Sequence, residues 1–257
     1  MKKITLAPWL LISLLAPATA QSTWFVDVTS QPPGDGSAGM PYSSIQYAID
    51  EGGTLSGDTL SIAPGIYAEN LVLAGKALHL TGEQGPASTL VDAGHSAPAL
   101  RVEGAASAGS SVRGLSLLNG DGSALGFGGG LQALETDLLL ADCILRGAEF
   151  AGEAAGFYSR DSELRLERVE VLDNGSFFIT PVFEAGGGFV DGGRLLAADC
   201  RFQNNHAFFG VGGLRTRNAS VRLTRVSFEG NTAGFGNGGG ASFEQSNVSL
   251  HDCDFRG

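Results

Sequence analysis

Six stretches of this chain lie over one another at a spacing near 26 residues. They are "SVRGLSLLNG", "LADCILRG" from Leu140, "LERVEVLDN" from Leu166, "AADCRFQNN" from Ala197, "LTRVSFEGN" from Leu223 and "LHDCDFRG" from Leu250. One slot in them holds Leu115, Cys143, Val169, Cys200, Val226 and Cys253, at intervals of 28, 26, 31, 26 and 27. A Gly-rich run precedes an apolar residue at Leu131, Phe157, Phe189, Leu214 and Ala241, and the distance from each to its slot is 12, 12, 11, 12 and 12. Length varies almost wholly in the other half of the repeat, as in "LDNGSFFITPVFEAGGG". A constant half with one elastic loop per repeat describes a solenoid, in which each unit buries its apolar face only by stacking on its neighbours.

Within the constant half the apolar period is two. In "NASVRLTRVSF", Val221 and Leu223 point one way and Arg222 the other; after a two-residue corner Val226 and Phe228 point inward again. That pattern predicts two short strands per turn, with a third after each Gly-rich run. Leu223, Val226, Phe228 and Asn231 also fit the leucine-rich pattern L-x-x-L-x-L-x-x-N. The rest of each such repeat should be helical or compact, and here it reads "TAGFGNGGG" and "HAFFGVGG". Helical spacing is absent from the repeats, and their glycine load opposes it. The prediction is an all-β parallel β-helix over residues 61–257, in coils of about 26 residues.

A lead-in segment over 21–60 contains "YSSIQYAIDEGG". Ser43 as N-cap, Gln46 three residues on, and Ile45, Ala48 and Ile49 on one face predict a short helix that covers the open end of the first coil. Before it, "MKKITLAPWLLISLLAPATA" has a positive start at Lys2 and Lys3, an apolar stretch and a small-residue cleavage site, so residues 1–20 read as a secretory signal. Without Lys2 and Lys3 the chain carries 14 basic against 27 acidic residues, a net −13. Nucleic acid and anionic membranes are poor partners for such a surface. At the other end, Phe255-Arg256-Gly257 begins another F-x-x-N, so the β-helix is expected to be interrupted there, with any membrane contact made through an anchor beyond it.

"FVDVTS", "GMPYSSIQYAIDEGG" and "GDTLSIAPGIYAENLVLAGKALHLTGE" together resemble the opening of bacterial right-handed parallel β-helix proteins of the pectin-lyase-like superfamily. The pairing of "FQNN" and "FEGN" with following "GGL" and "GGGA" is similar to polymorphic outer-membrane proteins. Ala148 stands where that pattern has Asn, and Asn119 falls one place early. The resemblance implies a right-handed solenoid exported to the exterior or the outer membrane of a Gram-negative bacterium. It spans enzymes and non-enzymatic adhesins, so the function stays open. The favoured expectation is a binding, adhesive or passenger module toward carbohydrate or a host or matrix surface. The alternatives are a polysaccharide lyase or hydrolase acting on uronate-rich polymer, and a plain spacer.

Asn174, Asn205 and Asn231 occupy one slot in successive coils and are expected to stack as a hydrogen-bonded ladder. Asp142, Arg168, Asp199, Arg225 and Asp252 precede the Cys/Val slot with alternating sign. They are read either as a ladder of opposite charges or as a stripe for a polar glycan. Cys143, Cys200 and Cys253 stand two coils apart, about 9–10 Å by strand spacing, beyond the reach of a disulfide. No second ligand shares their slot, and His79, His95, His206 and His251 are scattered, so no metal site is expected. The thiols read as small hydrophobes. Phe127, Phe150, Phe177, Phe178, Phe183, Phe208, Phe209 and Phe235 precede the glycine runs, where they either stack sugar rings or pack the loops. The sequons at Asn174, Asn218 and Asn247 are incidental under a bacterial reading. No catalytic residue is assigned and no cofactor is expected; calcium enters only under a lyase reading, which needs clustered carboxylates and a base.

Overall fold

A computed structural model of the chain describes residues 21–124, 126–150, 153–176 and 184–257. Residues 1–20, expected to be a secretory signal, and Phe177, Phe178 and Phe183 lie outside the described residues.

One coil shows how the rest is built. Leu131–Leu134 follows a glycine run, Thr136 turns the chain into Asp137–Ala141, and a bend at Asp142 leads to Ile144–Arg146. Each strand pairs in parallel with its counterparts one coil before and after. Repeating this stacks three parallel sheets, made among the described residues of nine, seven and eight strands. Sheet I runs from Thr23–Val26 to Asn247–His251, sheet II from Leu71–Ala74 to Ala241–Glu244, and sheet III from Gly65–Tyr67 to Asp254–Arg256. The chain is an all-β parallel β-helix of about 7 turns, with coils of about 27 residues.

The corners explain the residue choices. Between sheets I and III one residue per coil sits in the left-handed region: Asp142, Arg168, Asp199, Arg225 and Asp252, with φ between 51° and 55°. A second column, after sheet III, holds Asn119, Gly147, Asp173, Asn204 and Gly230 at φ 52° to 66°. A left-handed residue with a Cβ costs about 1–2 kcal/mol, least for Asn and Asp, whose side chains bond locally. The second column uses only Asn, Asp and Gly. Each left-handed corner also restarts the alternation, so Leu223, Val226 and Phe228 all face inward, at 0–1% exposure. That restart is why the strand–corner–strand unit imitates a leucine-rich pattern.

The interior is a continuous core in which coil after coil adds one rung. Leu140, Leu166 and Leu223 are fully buried in register, and Phe202 stacks on Phe228 at 4.9 Å and Phe228 on Phe255 at 4.7 Å.

The structure departs from the sequence expectations in three places. The helix Ile45–Asp50 forms and buries Ile45, Ala48 and Ile49, but its N-cap is Ser44, not Ser43. Ser44 Oγ accepts from Tyr47 N, while the Glu69 carboxylate, reaching in from the coil below, accepts from Ile45 N and Gln46 N. Gln46 is thereby released from a capping box, and its side-chain amide bonds both backbone groups of Val72.

The second departure is one of register. Phe157 and Leu214 are level with Gly188, not Phe189. The odd spacing of 11 marks that offset: Gly188 takes the inward slot and Phe189 faces out. A Cβ on Gly188 would lie 2.2 Å from the Phe157 ring, so the ring of one coil fills the place left empty in the next.

The third is a fourth small sheet in the elastic loops, built from Glu149–Phe150, Gly175–Ser176, His206–Val211, Glu184–Ala185 and Thr232–Gly238. Loops of unequal length hid this pairing, since it follows register rather than a sequence pattern.

Candidate functional site

Along each strand of sheet I, alternate residues point out of the solenoid. Stacked in register, these make a flat face whose middle row reads His79, Ser111, Leu139, Arg165, Leu196, Arg222 and Ser249. A hollow of about 570 Å³ lies over it, lined by His79, Ser111, Arg113, Leu139, Glu163 and Arg165 among others. Two smaller hollows, of about 220 and 130 Å³, continue it past Leu196 and Arg222 to Ser249. The groove therefore runs across the strands, from His79–Gly82 to Asn247–His251.

Charge on this face is unlike that of the chain as a whole. The strands Ser110–Arg113 through Asn247–His251 present Arg113, Arg165, Arg194 and Arg222 outward, against Asp137, Glu163 and Glu167. Arg165 Nε is 2.7 Å from Glu163 Oε1, and Arg194 Nη1 is 3.5 Å from the other oxygen, so two guanidiniums share one carboxylate. Both hold the Glu163 carboxyl below the usual range, with the Arg165 hydrogen bond the larger cause. Among the described residues Arg113 and Arg222 make neither an ion pair nor a side-chain hydrogen bond.

The outer face of sheet II is differently arranged. Arg215 is 5% exposed and bidentate to Glu244 at 2.9 and 3.0 Å; Arg217 is bidentate to Asp191 at 2.9 and 2.5 Å. Both guanidiniums lie over the Phe189 ring, 4.7 and 5.2 Å from its centroid. Tyr158, sandwiched by Phe127 and Phe189, is buried and its phenol is pushed up to about 12 by that burial. Beside them the Glu153 carboxyl is raised, first by burial and then by Asp191, with Arg217 and Arg215 opposing. This is the pattern of an ion-pair clamp, beside which burial raises the affinity of the Glu153 carboxyl for its proton.

The residues singled out from sequence fall elsewhere. Asn174, Asn205 and Asn231 are 0–6% exposed and form a chain in which each amide donates to the next, at 2.9 Å. Their remaining Nδ2 hydrogens bond Leu145 O, Val171 O and Phe202 O.

In the corner stripe Arg168 is bidentate to Asp142 at 2.6 and 2.9 Å, and Arg225 to Asp199 at 2.6 and 2.8 Å. None of these four lines the groove. The hydrogen bond from Arg168 to Asp142, and that from Arg225 to Asp199, hold those carboxyls low. A depressed folded-state pKa contributes stability above the unfolded value and loses it as pH falls through the folded one. Replacing Arg168 and Arg225 together by Asp should therefore lower Tm at neutral pH. The loss should shrink in high salt and vanish once pH falls below the carboxylate range. Thermal melts against pH and salt check this, and an unchanged neutral-pH Tm contradicts it.

Cys143 and Cys200 are buried, donate to Ala141 O and Ala198 O, and have thiols pushed up by burial to about 11. Such thiols are not reactive nucleophiles. Cys253 is less buried, with Sγ 3.6 Å from Leu223 O. Phe208, Phe209 and Phe235 do cluster, with centroids 4.9 to 5.6 Å apart, and Phe235 is 65% exposed. They sit on the small fourth sheet and do not line the groove. Phe127 is separate from them, against Tyr158.

The arginine face was missed from sequence. Its trace is the outward position of "SVRLT", where Arg222 opposes Val221 and Leu223; the equivalent residues of other coils are not alike, so they carry no consensus.

No family model matches the chain, and no curated protein matches it in sequence. Among solved structures it is similar to a rhamnogalacturonan lyase (TM-score 0.47, 11% identity, covering 89% of this chain and 62% of that one). It is also similar to the pectin methylesterase of Aspergillus niger (TM-score 0.37, 15% identity, 90% of each chain). The carrot pectin methylesterase gives a TM-score of 0.35 at 12% identity, covering 91% of this chain and 90% of that one. At these scores the likeness adds nothing to the fold already read from strand register, and no residue role is taken from it.

Proposed function

We propose that this chain is an exported, right-handed β-helix that binds linear anionic polysaccharide along the outer face of sheet I. The observation that carries this is the continuous groove in which, among the described residues, Arg113 and Arg222 make no ion pair or side-chain hydrogen bond, Arg113 feeling only the longer-range attraction of Asp142, on a chain of net −11. Exposed guanidiniums with no close carboxylate remain available to an anionic ligand even on an acidic surface. Such charges serve a ligand that supplies the missing anion. Seven strands at about 4.8 Å give the groove a length of about 29 Å, which suits a polymer lying across the strands. The right-handed winding is supported by the rule for parallel crossovers, export by the signal-like start, and a cap on the first coil by the buried face of the helix Ile45–Asp50.

The test is retention of the full chain on immobilised acidic polysaccharides and on a neutral glucan, at several salt concentrations. Retention on the acidic polymers, released by salt and reduced about three- to fivefold by R113Q/R222Q, is expected. Equal retention on the neutral glucan, or none on any, overturns the proposal. Turnover of a polymer in the same samples would move the function to the Glu153 cluster on sheet II.

A further inference from the structure

We infer that the ligand of the sheet I groove is a polysaccharide with one anionic group per disaccharide, bound in register with every second coil. This rests on the polysaccharide reading above and deepens it.

The inference comes from the order of residues in the middle row. Across four successive strands the outward residues are Leu139, Arg165, Leu196 and Arg222, each directly level with the next. Both arginines are exposed and both leucines are half-buried. Like rungs recur every second strand, about 9.6 Å apart. An extended pyranose chain advances by roughly one strand spacing per sugar, so successive sugars fall on successive rungs and a disaccharide spans one Arg–Leu pair.

Charge then selects the polymer. An anionic group above Arg222 meets a guanidinium that, among the described residues, makes no ion pair or side-chain hydrogen bond. One above Arg165 meets the positive charge left over when Arg165 and Arg194 share Glu163. The intervening sugar lies on Leu196, or on Leu139 in the preceding pair. An apolar rung receives the C–H face of a neutral sugar well. A carboxylate set there would lose hydration without gaining a counter-charge. A polymer charged on every sugar therefore satisfies half of its carboxylates and strands the rest, whereas an alternating polymer matches all four rungs. The flanking Ser111 and Ser249 continue the row with hydroxyls that suit either sugar.

The test compares oligosaccharides of equal length by calorimetry on the full chain. Hyaluronan fragments carry one carboxylate per disaccharide, polygalacturonate fragments one per sugar, and a neutral glucan none. Hyaluronan fragments should bind about five- to tenfold more tightly than polygalacturonate fragments, the size expected for one or two carboxylates left without a counter-charge. L139R/L196R, which puts a guanidinium on every rung without touching the core, should reverse that preference; its Tm should fall modestly at low salt, where four like charges stand level on neighbouring strands, and recover in high salt with cooperative unfolding retained. Equal affinity for both acidic polymers, or a preference in L139R/L196R unchanged from wild type, overturns the two-coil register but leaves polysaccharide binding standing. Binding of neither acidic polymer overturns both.

Discussion

Asn205→Ala is expected to destabilise the fold by about 3–5 kcal/mol, several times the cost of an ordinary surface change. Asn205 is 0% exposed and sits mid-ladder. Its Nδ2 donates to Val171 O at 2.8 Å and to Asn231 Oδ1 at 2.9 Å; its Oδ1 accepts from Asn174 N at 3.1 Å and from Asn174 Nδ2 at 2.9 Å. Alanine removes all four bonds, leaves Asn174 N orphaned in the interior at about 1–3 kcal/mol, and takes a second donor from Val171 O, whose strand is paired along the sheet III ladder. Tm should fall by on the order of 10 °C. Asn205→Asp should be worse, because a carboxylate facing Val171 O and Asn231 Oδ1 has no hydrogen to offer either and brings a charge into the core. Asn231→Ala should cost less, since that position is 6% exposed and its side chain makes three such bonds, accepting from Asn205 N and Asn205 Nδ2 and donating to Phe202 O, where Asn205 makes four. Urea and thermal unfolding of the three variants check the order; Asn205→Ala no worse than Asn231→Ala would show that the ladder is not the element that holds the coils.

The solenoid was legible because its physics is repetitive. Inward residues such as Leu166, Val169 and Val171 must be apolar in every coil, and the left-handed corner after sheet III admits little besides Asn, Asp and Gly, so both columns leave a periodic trace. The groove left none. Its residues face water, where nothing in folding demands that Arg165 resemble Leu139 or Leu196, and its meaning appears only when register sets them side by side. The Glu153 cluster was hidden for a related reason: it joins a loop residue to strand residues from neighbouring coils, across sequence distances that no local pattern spans. The corner stripe shows the intermediate case. Its alternating signs were visible, and Arg168 and Arg225, poor left-handed residues by propensity, are held there by bidentate bonds to the aspartates one coil below.

The register of one coil makes the second large prediction. Glycine-run spacing places Phe189 inward, level with Phe157 and Leu214; the strand pairing places Gly188 there and turns Phe189 out beneath Arg215 and Arg217. The two registers differ in what an added methyl group meets. With Gly188 inward, Gly188→Ala drives a Cβ to 2.2, 2.3 and 2.7 Å from Phe157 ring carbons, and relieving that overlap in a packed core costs about 1–3 kcal/mol. Phe157→Ala removes a fully buried ring and should cost about 3–5 kcal/mol. In the double variant the new methyl stands in the space the ring vacated, so the overlap disappears and part of the cavity is filled. The pair should then cost less than the two single changes added together, by about 1–2 kcal/mol. Were Phe189 the inward residue, Gly188→Ala would face solvent, cost little and show no coupling to Phe157. A double-mutant cycle from urea denaturation therefore decides the register, and with it whether Phe189 is free to carry the two arginines that organise the outer face of sheet II.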